Sequence, residues 1–131
     1  MAGVVVRTGR GRLLNLGANK VAVADLVIGL FVNNATLTES SVLADLTEMS
    51  THGYAAKTPG AANWTVTEAA TTTVVAAEQT WTFTAAAAVD VYGYFVKLGT
   101  VLVCAEKFSD GPYPVANTGD QIKVTPTTAL T

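Results

Sequence analysis

One histidine and one cysteine limit the chemistry available to this 131-residue chain. A nucleophile–histidine–acid triad needs an imidazole to accept the proton of the nucleophile, so any such triad would have to use His52. His52 precedes Gly53 and Tyr54 in a segment with the composition of a short strand. Cys104 lies in an apolar run, which favours a buried, inert thiol. These residues predict no catalytic site.

Metal and phosphate chemistry have equally little support. A zinc site needs three or four His, Cys or acidic ligands, which one His and one Cys do not supply alone. Asp110, Asn117 and Asp120 carry oxygens that calcium accepts, but they lack the dense alternating acids of a calcium loop. Turn formation explains them better. Gly9 and Gly11 neither follow a strong strand nor open a convincing helix, so a phosphate-binding loop has no context. We expect no metal and no cofactor.

The aromatic residues leave one binding function open. Two Trp and four Tyr are enough to line a sugar-binding face. In an all-β domain such residues pack more often in the core or across strands. An exposed cluster of Trp64, Trp81 and Tyr113 on one face would favour carbohydrate binding.

The chain is organised around residues 89–108, where two runs rich in β-branched and aromatic residues flank a short turn. Gly99 can supply the positive φ that a tight hairpin requires. Both runs are more apolar than simple alternation predicts. We therefore expect two central strands with both faces of their sheet covered.

Short strands separated by turn signals fill the rest of the chain. The pattern predicts an all-β, antiparallel β-sandwich or jelly-roll-like single domain over residues 25–131. Residues 85–88 are expected to form a tight connection. Residues 109–112 and 116–120 are expected to form turns. Further strands are expected at residues 25–34, 52–56, 64–67, 71–77, 79–84 and, as the last, 121–125.

Residues 1–24 are expected to form an extended arm, with a short edge strand at 4–6 and a break at 9–11. A short helix within 12–23 is a further option. The segment contains no acid and carries +4, from Arg7, Arg10, Arg12 and Lys20, while the remainder carries 4 − 10 = −6. This asymmetry predicts that the four residues contact a negative partner. Four cations without interleaved aromatics neutralise few phosphates, so an acidic protein surface is favoured over nucleic acid.

The composition indicates extensive contacts. Only 14% of the residues are charged, against about 25% in typical soluble domains. No run of about 18 apolar residues is present, so no membrane-spanning helix is expected. The start lacks the basic-then-apolar order of a secretory signal. We therefore expect a protein made in the cytoplasm and rich in subunit contacts.

Three segments carry a resemblance to a known family. They are residues 91–96 (Val-Tyr-Gly-Tyr-Phe-Val), 105–108 (Ala-Glu-Lys-Phe) and 119–126 (Gly-Asp-Gln-Ile-Lys-Val-Thr-Pro). Residues 26–34, 42–48 and 53–55 match the first half of the same pattern. The chain resembles small structural proteins of tailed bacteriophages, above all head decoration (cement) proteins.

The resemblance implies a virion protein on the capsid surface, made in the host bacterial cytoplasm, with no catalytic residues. Its expected partners are the major capsid protein and further copies of itself, as a trimer or a dimer. An alternative is a tail or fibre-associated virion protein that binds a receptor or glycan. An enzyme is the least favoured class.

Overall fold

A computed structural model describes residues 3–18, 25–84 and 88–130, which form eleven β-strands and one α-helix. Two single 3-10 turns lie at Leu43–Asp45 and Ala61–Asn63. In chain order the other elements are β1 (Val4–Val5), α1 (Arg7–Gly17), β2 (Leu26–Phe31), β3 (Trp64–Thr67), β4 (Thr72–Ala76), β5 (Gln79–Thr82), β6 (Val89–Val91), β7 (Gly93–Leu98), β8 (Val101–Lys107), β9 (Tyr113–Val115), β10 (Gln121–Val124) and β11 (Thr127–Leu130).

The predicted hairpin is confirmed and forms the middle of a four-stranded sheet in the order β1-β8-β7-β2. β7 and β8 pair antiparallel around a turn in which Gly99 has a φ of 60°. The first apolar run is divided, however. β6 pairs with β9 in a separate ribbon, and β7 begins only at Gly93.

Both faces of this central sheet are covered, as its composition predicted. Successive residues of β2 point to opposite sides, so Leu30 and Phe31 enter different clusters. The larger cluster lies against the other strands and contains Ile28, Leu30, Met49, Ala76, Trp81, Phe83, Val91, Tyr94, Val96, Cys104, Val115, Ile122 and Val124. The smaller cluster contains Val6, Phe31, Ala35, Leu46, Phe95, Leu102 and Ala105.

The remaining strands form a three-stranded sheet in the order β11-β4-β3 and the ribbons β10-β5 and β6-β9. Every named strand pair is antiparallel. The fold is therefore all-β and antiparallel in one small domain, consistent with the predicted sandwich. The jelly-roll topology stays a prediction.

The N-terminal segment differs from the expected extended arm. β1 pairs with β8, and α1 covers the same strand, with Val6 buried between them. Gly9 and Gly11 were expected to break regular structure but lie inside α1. At Gly9 the missing side chain is an advantage, because a Cβ there would lie 2.5 Å from Val103 Cα. Close approach to β8 thus outweighs the low helix propensity of glycine.

Two other expectations fail. Residues 52–56 form no strand, since His52 has a φ of 61° and Gly53 a φ of 73°. Residues 121–125 do not contain the last strand, because β11 follows Pro126 and pairs with β4. The connection expected at residues 85–88 lies mostly outside the described residues.

Candidate functional site

His52 occupies a turn. Its Nδ1 lies 2.6 Å from Thr51 Oγ1, and its carbonyl accepts a hydrogen bond from the Thr84 N–H at 2.9 Å. The positive φ of His52 sets the direction of the chain at this point. These contacts indicate that His52 shapes the turn. The expectation that the protein is not an enzyme stays a prediction.

Cys104 is fully buried on β8, as predicted. Its Sγ lies 3.0 Å from the Thr128 hydroxyl oxygen, which links β8 to β11. Burial raises the pKa of the Cys104 thiol to about 11, although the hydrogen bond with Thr128 opposes the shift. Since the thiolate is the nucleophile, the thiol is unreactive at neutral pH.

Asp120 organises a turn. Its Oδ2 accepts hydrogen bonds from the N–H groups of Ala116 at 3.0 Å and Asn117 at 2.9 Å. These bonds hold the pKa of the Asp120 carboxyl below its usual range. In the part of the chain that the structure describes, no three His, Cys, Asp or Glu side chains are grouped to hold a metal. The turn interpretation of Asp120 therefore fits the structure.

The three aromatic residues singled out for sugar binding do not share an exposed face. Trp81 is only 3% exposed, and its Nε1–H donates to the Ala55 carbonyl at 2.9 Å. Trp64 is half-buried and donates to the Pro59 carbonyl at 3.3 Å. Only Tyr113 is exposed.

An open cleft of about 740 Å³ lies beside Tyr113, between β9 and β10. The ring of Tyr113 packs against Phe108, with centroids 5.1 Å apart. This contact limits the motion of the ring. The cleft therefore combines one supported aromatic ring with the polar side chains of Asn117, Asp120, Gln121 and Lys123.

Two of the four predicted contact residues already bind the protein's own surface. Arg10 Nη2 lies 3.0 Å from Glu39 Oε2, and Arg7 Nε lies 4.0 Å from the same oxygen. The Arg7 N–H also donates to the Glu39 carbonyl at 2.9 Å. These exposed ion pairs contribute at most about 1 kcal/mol each, but they help to fix the start of α1.

The other two basic residues differ from this pair. Arg12 is partly exposed on α1 and forms no ion pair with residues 3–18, 25–84 or 88–130. Lys20 lies outside the described residues. Leu14, one turn along from Arg10, leaves 75% of its surface exposed. α1 therefore presents a cation and an apolar side chain in a fixed position.

Sequence reasoning missed two tyrosine hydrogen-bond networks, one around the partly buried Tyr54 and one around the buried Tyr94. Tyr54 Oη accepts from the Leu30 N–H at 3.1 Å and donates to Glu48 Oε1 at 2.9 Å. Tyr94 Oη donates to Glu106 Oε2 at 2.8 Å and accepts from the Thr127 N–H at 3.2 Å. Burial raises the pKa of both phenols. Both stay protonated at neutral pH and act as structural links.

No family model, no curated protein and no solved structure matches the chain. Among the described residues, no helix is long and apolar enough to cross a membrane.

Proposed function

We propose that this protein is a structural protein of a tailed-phage virion that binds the outside of the capsid shell and stabilises it. The resemblance of residues 91–96 and 119–126 to head decoration proteins supports the proposal. The observation that carries it is α1, a helix anchored on the central sheet, from which the exposed Leu14 and the partly exposed Arg12 project on different sides.

The anchoring of α1 makes its exposed side chains suitable for recognition. Gly9 brings the helix into contact with the backbone of β8, and Arg7 and Arg10 bind Glu39. A prepositioned side chain loses less conformational entropy on binding than one on a flexible arm. Arginine is enriched among residues that dominate binding energy, and Leu14 adds apolar surface that binding removes from water.

The charge distribution indicates the partner. α1 carries three arginines and no acid, so it suits an acidic patch on a neighbouring shell subunit. The low overall charge also suits a protein that buries much surface in contacts, because interface cores are depleted of charge. The proposed site is thus a rigid basic helix rather than a free arm.

The deciding experiment mixes the purified protein with shells assembled from the major capsid protein of the same phage. Pelleting and quantification should give saturable binding at a copy number that matches a set of lattice axes. Absence of binding to shells would exclude the decoration function.

Variants locate the contact. Arg12→Glu and Leu14→Ser should each weaken shell binding by at least about tenfold, or 1.4 kcal/mol. Lys123→Glu is the matched control, since it makes the same charge change on β10. Equal weakening by Arg12→Glu and Lys123→Glu would indicate a general charge effect and would exclude a specific contact through α1.

The cleft beside Tyr113 favours one second candidate, a tail or fibre-associated protein that binds a glycan. An aromatic ring beside amide, carboxylate and ammonium groups suits the apolar face and the hydroxyls of a sugar. Glycan-array binding that Tyr113→Ala abolishes and Leu14→Ser preserves would favour this function over capsid decoration.

A further inference from the structure

In the β11-β4-β3 sheet, successive residues direct their backbone N–H and C=O groups alternately to one side of the strand and to the other. This alternation determines which backbone groups of β3 point away from β4. The Ala76 N–H on β4 donates to the Pro126 carbonyl at 2.9 Å, on the β11 side. The Ala77 N–H donates in the other direction, to the Asn63 carbonyl at 2.7 Å. Because antiparallel pairing alternates, Val66, which is opposite Val74, directs its N–H and C=O away from β4.

β3 is the edge strand of this sheet, and among the described residues no strand pairs with its outer side. Its four residues, Trp-Thr-Val-Thr, carry no charge, and Val66 is 57% exposed. Natural edges are commonly protected by Lys, Pro or a bulge, since open edges pair with other chains. β3 has none of these within its four residues.

We propose that β3 pairs antiparallel with β3 of a second copy of this chain, which joins two three-stranded sheets into one six-stranded sheet. This inference is independent of the proposed capsid function, since it uses a different face and needs no shell. Of the two expected oligomers, a trimer or a dimer, this pairing specifies a dimer with two-fold symmetry.

The alternation of inward and outward backbone groups along β3 specifies the register of this dimer. Residues with outward backbone groups must face each other, so Val66 lies opposite Val66 of the other copy. Trp64 then lies opposite Glu68. The pairing forms about four backbone hydrogen bonds, two between the Val66 residues and two from Glu68 N–H groups to Trp64 carbonyls.

The absence of charge on β3 favours a second copy of the chain as its pairing partner. β3 is uncharged, so identical strands meet without like charges. In this register the two Glu68 side chains are offset by four positions, or about 13 Å, which exceeds the screening length of about 8 Å at physiological salt. The two Val66 side chains meet on one face and lose exposed apolar surface. The contact is small, so we expect a concentration-dependent dimer.

Disulfide trapping tests the register. Val66→Cys should form a covalent dimer under mild oxidation, because directly opposed residues of paired strands lie within disulfide range. Thr118→Cys is a control at an exposed turn, and the unmodified protein, with Cys104 buried, is a second. Both controls should stay monomeric on non-reducing gels. Equal trapping of Val66→Cys and Thr118→Cys would overturn the proposal.

Proline tests the hydrogen bonds. Val66→Pro removes an N–H that points away from β4, so it spares the pairing of β3 with β4 while removing a bond to the second copy. Sedimentation velocity should show the dimer dissociation constant raised at least about tenfold, whereas Val66→Thr should keep the dimer. A wild-type protein that stays monomeric at its highest soluble concentration would refute the pairing. If Val66→Pro fails to fold, the cysteine result decides.

Discussion

Phe95 lies across the backbone of Gly29, its partner on the neighbouring strand of the central sheet. A Cβ on Gly29 would lie 2.7 Å from Phe95 Cε1 and 2.8 Å from Tyr54 Oη. Two residues along, the arrangement is exchanged, because Phe31 covers Gly93. Each glycine thus provides room for an aromatic ring on the opposite strand, which covers the exposed backbone.

Gly29→Ala should destabilise the protein by about 1–3 kcal/mol, because the added methyl group displaces the ring of Phe95 in a packed core. Urea unfolding followed by tryptophan fluorescence measures the change. Gly60→Ala is the control, since its Cβ would meet only Asn63 Nδ2, at 4.0 Å. Equal stability of the two variants would show that the ring does not need the space at Gly29.

α1 offers a matched pair of glycine positions. Gly9→Ala should destabilise the docked helix by about 1–3 kcal/mol, because the Cβ collides with the Val103 backbone. Gly11→Ala should stabilise by up to about 1 kcal/mol, because its Cβ meets nothing within 4 Å and alanine favours helix. Thermal unfolding with amide exchange on residues 7–17 measures both. Effects of the same sign would contradict the proposed docking.

Asp120 should make stability depend on pH in the acidic range. Folding lowers the pKa of this carboxyl, so its contribution is present above the ordinary value of about 3.9 and is lost as pH falls through the folded-state pKa. Asp120→Asn should therefore be less stable than wild type at pH 7, with the difference shrinking in acid. Urea midpoints across this range measure the change. Asp110→Asn is the control, and a difference that does not vary with pH would argue against the Asp120 turn bonds.

Cys104 should be protected from modification. The folded protein should not react with a disulfide reagent at pH 8, because the pKa of the buried thiol is raised to about 11. One thiol should react after unfolding. Since folding raises this pKa from an ordinary value of about 8.5, the linked stability is lost as pH rises above that value. Rapid labelling of the folded protein would contradict the burial of Cys104.

Local patterns determined much of the strand content. Ile122 and Val124 alternate with polar residues on β10, and they are buried as that period predicts. Gly99 marked the central hairpin because few residues other than glycine adopt positive φ without strain. Such features depend on neighbours in sequence and need no knowledge of the fold.

Tertiary structure decided the remaining features of the fold. Residues of the same type in similar local sequence behave differently because they differ in what packs against them. Gly9 belongs to a helix because β8 passes close beneath it, and the sequence around Gly9 gives no sign of contact with that distant strand. Trp64 and Trp81 both lie in alternating strands, yet Trp81 is buried in the larger cluster whereas Trp64 is only partly buried against it. The open edge of β3 likewise follows from the order of the strands, which long-range pairing sets and composition does not. The sequence by itself therefore determined an all-β chain with its central hairpin, while packing between distant segments decided which surfaces remain available for partners.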